Sequence, residues 1–170
     1  MSKVGTVNKS EQNLRDAFAG ESQANRKYLA FAKKAEDDGY PQIAKLFRAA
    51  AASETIHAHN HLRELGGVRR TMDNLEEALN GEVYEFQKMY PEMIEDAKAE
   101  DNKCALRTFT FANEVEKVHA DLFRKALEQM DKLQEADYYI CQVCGHTAEG
   151  EPPDTCPVCG AKKQVYKKAE

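Results

Sequence analysis

The sequence predicts an all-α four-helix bundle followed by a small cysteine-ligated metal module. Three observations carry that expectation. Apolar residues recur at steps of three and four as far as about Leu133. A Glu-x-x-His motif occurs twice, 62 positions apart. Two Cys-x-x-Cys-Gly turns lie near the C-terminus.

The elements follow in order. Ser10 is the expected N-cap of a first helix that runs to Asp38, where Gly39 stops it. Pro41 opens a second helix, which continues to Leu65 and ends at Gly66-Gly67. A third begins near Asp73 or Asn74 and runs towards Ala99, with a kink expected at Pro91. The fourth spans Asn102 to Leu133. After the polar stretch Gln134 to Asp137 the chain turns to Cys, Gly and Pro, with extended pieces at Tyr138–Ile140 and Gln164–Tyr166. The expected division is residues 1–135 for the bundle and 136–170 for the metal module. At the offset of 62, Phe47 falls on Phe109 and Ala58 on Ala120, while Gly20-Glu21 matches Gly81-Glu82 one residue short of it. Each half therefore reads as a helical hairpin, and two hairpins make a bundle with pseudo-two-fold symmetry.

Composition narrows the partners. The formal net charge is -5 and Lys and Arg are nowhere concentrated, which argues against nucleic acid. No apolar run approaches the roughly 20 residues of a membrane span. Met1 to Ser10 is polar, unlike a secretory signal, so a cytoplasmic protein is expected.

The chemistry lies on the inward stripes. The second helix places Ile43, Phe47, Ala50, Glu54, His57 and His61 on one face; the fourth places Ala105, Phe109, Ala112, Glu116, His119, Phe123 and Ala126. Glu21 shares a face with Leu14, Phe18, Tyr28 and Ala32, and Glu82 with Leu75, Leu79, Phe86 and Met89. Glu85 is three residues beyond Glu82, so the two project in neighbouring directions. Glu21 precedes its interhelical turn by about 16 residues, roughly 24 Å, and Glu54 follows it by about 13, roughly 20 Å, so both reach a similar level. The third and fourth helices repeat the arrangement.

Five carboxylates on inward stripes at one depth must protonate or be neutralised by cations, because burying unpaired anions together is prohibitively costly. Two iron ions supply about four to six positive charges, and carboxylate oxygens with imidazole nitrogens suit iron or manganese. A Glu from each of two helices and Glu-x-x-His from each of the other two is the ligand pattern of carboxylate di-iron bundles. One Glu-x-x-His alone is a common solvated pair. Two copies on apolar stripes, facing glutamates at matching depth, are not. Gly20 and Gly81, each directly before a ligand Glu, suggest space or close approach at that level.

Other residues read more plainly. Glu114 lies about 200° around its helix from Glu116 and faces solvent, and His59 is a surface residue. His61 is a core or subunit-contact histidine. Cys104 reads as a small, buried or half-buried apolar residue. Tyr28 points towards the face of Glu21, either as a hydrogen-bond donor near the metals or as an ordinary core tyrosine. Cys141, Cys144, Cys156 and Cys159 form two chelating turns separated by 11 residues and make a tetrahedral thiolate site for zinc or iron. Taken alone it suggests a zinc ribbon; beside a redox di-iron bundle, a one-electron Fe(Cys)4 centre makes more chemical sense. His146 is expected to be exposed.

These modules in this order resemble rubrerythrin over essentially the whole chain. The stretches that carry the resemblance are Phe18-Ala-Gly-Glu21-Ser-Gln-Ala24, Glu54-Thr-Ile-His57-Ala58, Asn80-Gly-Glu82-Val-Tyr-Glu85, Glu116-Lys-Val-His119-Ala120 and the two cysteine turns. The resemblance implies a ferritin-like fold with a rubredoxin-like domain. It implies an oxo- and carboxylate-bridged di-iron centre with Glu54 and Glu116 bridging, Glu21 and Glu85 terminal on one iron, and Glu82 and His119 on the other. It also implies that Glu85 and His57 trade places with oxidation state, and that Tyr28 and Tyr90 stand near the site. The implied activity is reduction of hydrogen peroxide to water, with electrons from rubredoxin or an NAD(P)H-dependent reductase entering through Fe(Cys)4. A homodimer or larger homo-oligomer is expected. Some relatives exchange helices between subunits, which the short Gly66–Met72 connection would permit. The competing readings are ferritin-like iron oxidation and storage, and a zinc-ribbon binding module on a structural bundle.

Overall fold

The computed structural model describes residues 8–169. The polar stretch from Met1 to Val7 lies outside them. The chain is mostly helical, with a small C-terminal strand region, as the sequence predicts. It comprises two compact units, one ending at Arg69 and the other beginning at Arg70.

The first unit is a hairpin of α1 (Lys9–Asp37) and α2 (Pro41–Glu64). The cap of α1 is Asn8 rather than Ser10. The Asn8 side chain accepts from the Ser10 N–H at 3.3 Å, and Ser10 already lies inside the helix. At the other end Gly39 takes φ +83°, and its N–H and that of Tyr40 return to the carbonyls of Glu36 and Ala35. Pro41 occupies the first position of α2, where its missing N–H costs nothing.

Ala44, Ala51 and Ala58 of α2 are buried, with Ala32 and Ala35 of α1. Seven-residue spacing of small side chains gives α2 a narrow seam against its neighbour. Asn25 ties the helices together, donating to the Ala51 carbonyl at 2.8 Å and to Thr55 Oγ1 at 2.9 Å. The seam lies to one side of the predicted inward stripe, so Ile43 and His57 of that stripe are exposed. Leu29, Phe31, Leu46 and Ile56 are exposed as well.

In the second unit α3 (Thr71–Tyr84), a π-helical turn (Glu85–Met89) and α4 (Tyr90–Ala99) run on from one another and pack against α5 (Lys103–Gln129). The irregularity expected at Pro91 takes the form of this π turn. A proline ring clashes with the carbonyl four residues earlier, and widening the preceding turn absorbs the misfit, with Tyr90 N–H bonding to the Glu85 carbonyl. The third helix begins at Thr71, two residues before the expected start. Asn102 caps α5 by accepting from the Ala105 N–H at 3.1 Å. The α-helix ends at Gln129 rather than Leu133, because Met130 leaves helical geometry at φ 18°, and a single 3-10 turn, Met130–Lys132, follows.

The C-terminal module is a three-stranded antiparallel sheet in the order β2 (Thr147–Glu149), β1 (Tyr138–Cys141), β3 (Tyr166–Lys168). Ile140 pairs with Thr147, and Cys141 with Tyr166. Of the expected extended piece Gln164–Tyr166, only Tyr166 is strand; Lys163–Val165 is a 3-10 turn. Lys125 of α5 pairs with Glu149 of β2 at 2.5 Å, which holds the module on the helix.

Asn102→Ala removes the cap of the long α5 and should lower unfolding stability by about 1 kcal/mol, read as an earlier urea midpoint with unchanged slope.

Candidate metal centres

Each hairpin gathers one carboxylate–imidazole group. Glu21, Glu54 and His57 offer ligand atoms all within 4.8 Å of one another, and so do Glu82, Glu116 and His119. The helical spacing explains both groups. Glu-x-x-His puts the two side chains on adjacent turns of one face, where His57 Nδ1 lies 2.9 Å from Glu54 Oε2 and His119 Nδ1 2.7 Å from Glu116 Oε2. The neighbouring helix adds Glu21 or Glu82, the latter 3.7 Å from His119 Nδ1.

The groups differ in their surroundings. The His57 side chain is 51% exposed and that of His119 29%. Nε2 of His119 lies 2.9 Å from Thr147 Oγ1 on β2 of the cysteine module. Glu85, first residue of the π turn, is half-buried and stands outside the tight group, close enough for the charges of Glu82 and His119 to act on it. Tyr90 is half-buried beside Phe109. Tyr28 packs with Phe31 and Phe47, and among the described residues no hydrogen bond joins it to a ligand.

Electrostatics expose the demand for cations. Burial pushes the Glu82 carboxyl up to about 7, helped by its hydrogen bond to Glu116 and that group's charge and opposed by His119. Burial also raises Glu116 and, with the charge of Glu82, Glu85. Tyr90 is held up by burial and then by Glu116, Glu85 and Glu82. Glu82 and Glu116, joined by a hydrogen bond, thus share a carboxyl proton near neutrality. Oxygen donors that retain a proton near neutrality, packed with an imidazole nitrogen, suit a hard or borderline divalent ion that displaces that proton.

The second centre is built on two tight turns. Gly145 and Gly160 take φ +86° and +75°, and their N–H groups return to the Cys141 and Cys156 carbonyls at 2.9 and 3.0 Å. The left-handed conformation is one that glycine adopts without strain. Cys141 and Cys159 sulfurs lie 3.7 Å apart, and Cys144 and Cys156 3.6 Å. A tetrahedral ion with metal–sulfur bonds of about 2.3 Å has edges of roughly 3.8 Å, so the four thiolates fit one ion. Burial pushes the Cys144 thiol up. Burial acts on Cys156 in the same direction, yet hydrogen bonds from Tyr166 and from the N–H groups of Cys159 and Val158 outweigh it and bring the thiol down to about 6.

Several expectations need correction. His146 is 8% exposed, not a surface residue: its Nδ1 lies 2.9 Å from Tyr166 Oη, and that partner makes its burial tolerable. Cys104 is exposed in the first turn of α5. Of the space or close approach expected at Gly20 and Gly81, space is found: a Cβ at either would meet nothing within 4 Å among the described residues. Glu114 and His59 are exposed as expected, Glu114 pairing with Lys117 at 2.5 Å. His61 is half-buried. Thr147 and Tyr166 escaped sequence reasoning, since neither stands at a ligand spacing.

Residues 12–127 match the rubrerythrin family, and residues 139–167 match the rubrerythrin rubredoxin-like domain. The chain belongs to the rubrerythrin family. Rubrerythrin-2 of Clostridium acetobutylicum is 40% identical, over 90% of this chain and 92% of that protein. Nigerythrin of Nitratidesulfovibrio vulgaris is 37% identical, over 94% of this chain and 86% of that protein. A solved structure of partially reduced nigerythrin covers 98% of this chain and 89% of its own, at 34% identity and a TM-score of 0.59. Rubrerythrin-family proteins are oxidoreductases of ferritin-like fold with a di-iron carboxylate site and a rubredoxin-like four-cysteine site, and those are the cofactors of this chain. Among the described residues, no helix is long and apolar enough to cross a membrane.

The Glu82 proton makes metal-free stability pH-dependent. Because the folded carboxyl titrates near 7 and the unfolded one near 4.5, the folded state holds a proton the unfolded chain has released between those values. The contribution is complete below about 4.5 and is lost as pH rises through about 7. The urea midpoint of metal-free protein should therefore fall between pH 5 and 8, and Glu82→Gln should flatten that fall.

Proposed function

We propose that this chain is a cytoplasmic peroxidase that reduces hydrogen peroxide to two waters, consuming two electrons and two protons, as a defence against oxidative stress. The observation behind this reading is the cysteine module seated on α5, where Thr147 meets the candidate ligand His119. A one-electron thiolate centre beside a carboxylate di-iron site has an evident use in refilling it, and none in a structural bundle. When bound, the carboxylate iron pair supplies two electrons together and the thiolate iron restores them singly.

The chain's own residues divide the remaining work. Glu54 and Glu116 are proposed as bridges, Glu21 and Glu85 as terminal ligands on one iron, Glu82 and His119 on the other. His57 and Glu85 are proposed to alternate on the first iron. These roles rest on the family resemblance; within its own hairpin His57 is half solvent-exposed, and Glu85 stands outside the tight group of Glu82, Glu116 and His119. Glu82, titrating near neutrality, can hold or release a proton at its carboxylate oxygen while Tyr90 keeps its own. Tyr28 is assigned to the same pocket on the resemblance alone.

The functional division is proposed near residue 135. Electrons are proposed to come from rubredoxin or an NAD(P)H-dependent reductase. A homo-oligomer, with helix exchange as one route to it, is supported by the exposed Leu29, Phe31, Leu46 and Ile56, which a second copy would cover. Reduced thiolates fit a cytoplasmic setting.

Stopped-flow mixing of fully reduced protein with peroxide is the test. Reoxidation should be much faster than with air, and equal rates would sink the peroxidase reading. Glu85→Ala should slow the peroxide reaction about a hundredfold or more while leaving the red ferric thiolate absorption intact. A colourless protein after iron loading would instead mark the thiolate site as zinc.

A further inference from the structure

The two histidines of the carboxylate groups are held differently. His57 has one ring partner, Glu54, and its other nitrogen meets no hydrogen-bonding side chain among the described residues. His119 is gripped at both nitrogens, by Glu116 on Nδ1 and by Thr147 on Nε2. Thr147 does not belong to the helices. It opens β2, three residues after Cys144, and pairs with Ile140 across the sheet.

The hydroxyl has one proton to give. The Gly145 carbonyl lies 3.5 Å away, at the outer edge of hydrogen-bond distance, and is an acceptor only. With its proton directed there, Thr147 Oγ1 turns a lone pair to His119 and can only accept. The ring then carries its proton on Nε2 and turns its Nδ1 lone pair to Glu116 and Glu82, and in the bare protein a carboxyl proton completes the 2.7 Å contact with Glu116 Oε2. A cavity of about 300 Å³ borders the same ring edge. Leu75, Leu122, Phe123, Ala126 and Tyr138 line it, and among the described residues the hydrogen bond at Nε2 goes to Thr147.

We infer that Thr147 is a positioning residue: the cysteine module reaches out through its hydroxyl to fix the tautomer and orientation of His119, so that Nδ1 is the nitrogen offered to metal. The inference rests on the reading of His119 as a ligand. Ligating histidines generally have their second nitrogen anchored in this way, and loss of the anchor lowers metal affinity roughly 10- to 100-fold. Here the anchor comes from a different metal-binding module. Any distortion of the first cysteine turn therefore reaches one ligand of the carboxylate site, while His57, which has no such anchor, is left free.

The test uses the full chain, uniformly loaded with zinc and labelled with ¹⁵N-histidine. In the native chain and in Thr147→Ser, His119 should show Nδ1 bound to metal and an Nε2 proton protected from solvent exchange. Thr147→Val keeps the volume and loses the hydroxyl. Its Nε2 proton should exchange at least about tenfold faster, and anaerobic titration with ferrous iron should show one of two carboxylate-site affinities reduced roughly 10- to 100-fold. An intact thiolate absorption in the iron-loaded variant certifies that the module is folded; if Thr147→Val loses it, Thr147→Ala takes its place. An Nε2 proton that exchanges as slowly as in the native chain, or an unchanged ferrous affinity, overturns the proposal. Neither readout needs peroxide, so a protein inert to peroxide that still shows this pattern removes the peroxidase reading and leaves the positioning role standing.

Discussion

The structure depends on bringing like-charged carboxylates together on helical faces. Two glutamates and one histidine converge within 4.8 Å in each hairpin, and in the second hairpin partial burial and neighbouring carboxylate charge oppose ionisation of Glu82 and Glu116. The cost is visible in Glu82, which retains a proton to about 7. A bare protein relieves the repulsion by protonation. Cations relieve it better, since they also satisfy the lone pairs that one shared proton leaves unmet. The alanine seam of α1 and α2 holds one trio of side chains together, and the packing of α3 and α4 on α5 holds the other.

The helical frame is irregular just before Pro91. A regular helix through Pro91 would carry a steric conflict, and the chain resolves it with a π turn that begins at Glu85. π turns are rare and recur at functional sites because they break the strict 100° progression of side chains. Here the break follows Glu85, whose own N–H still bonds to the Gly81 carbonyl, and it redirects the residues from Glu85 to Tyr90. Of the two carboxylates on this helix, Glu82 stands inside the tight group and Glu85 outside it.

The cysteine module solves an analogous problem with softer donors. Four sulfurs sit at the edge lengths of a tetrahedron, and backbone N–H groups and Tyr166 stabilise thiolate at Cys156. Tyr166 also joins His146, whose burial would otherwise leave a polar ring unpaired. The sheet that carries these groups projects Thr147 to His119 and Glu149 to Lys125. One short strand thus serves the folding of its own module and its attachment to α5.

Local periodicity was enough to read much of this from the sequence. Steps of three and four placed Glu54 with His57 and Glu116 with His119, and Cys-x-x-Cys-Gly specified two chelating turns, because those relations lie within one or two turns of backbone. Helix ends were legible to within a few residues through Pro41, Gly39, Gly66 and Asn102. Features set by distant packing were not. The burial of His146 depends on Tyr166, 20 residues away, and the π turn depends on how the backbone accommodates a proline that sequence alone marks only as a kink. Gly20 and Gly81 signalled space or close approach, and packing decided for space, with nothing within 4 Å of a Cβ at either among the described residues. The sequence by itself determined which donors exist and which face each presents, since helix geometry maps spacing directly onto direction. Only the tertiary structure decided that a threonine on a strand holds the second nitrogen of His119 while His57 keeps Glu54 as its ring partner, because the threonine contact joins residues 28 positions apart through no repeating pattern.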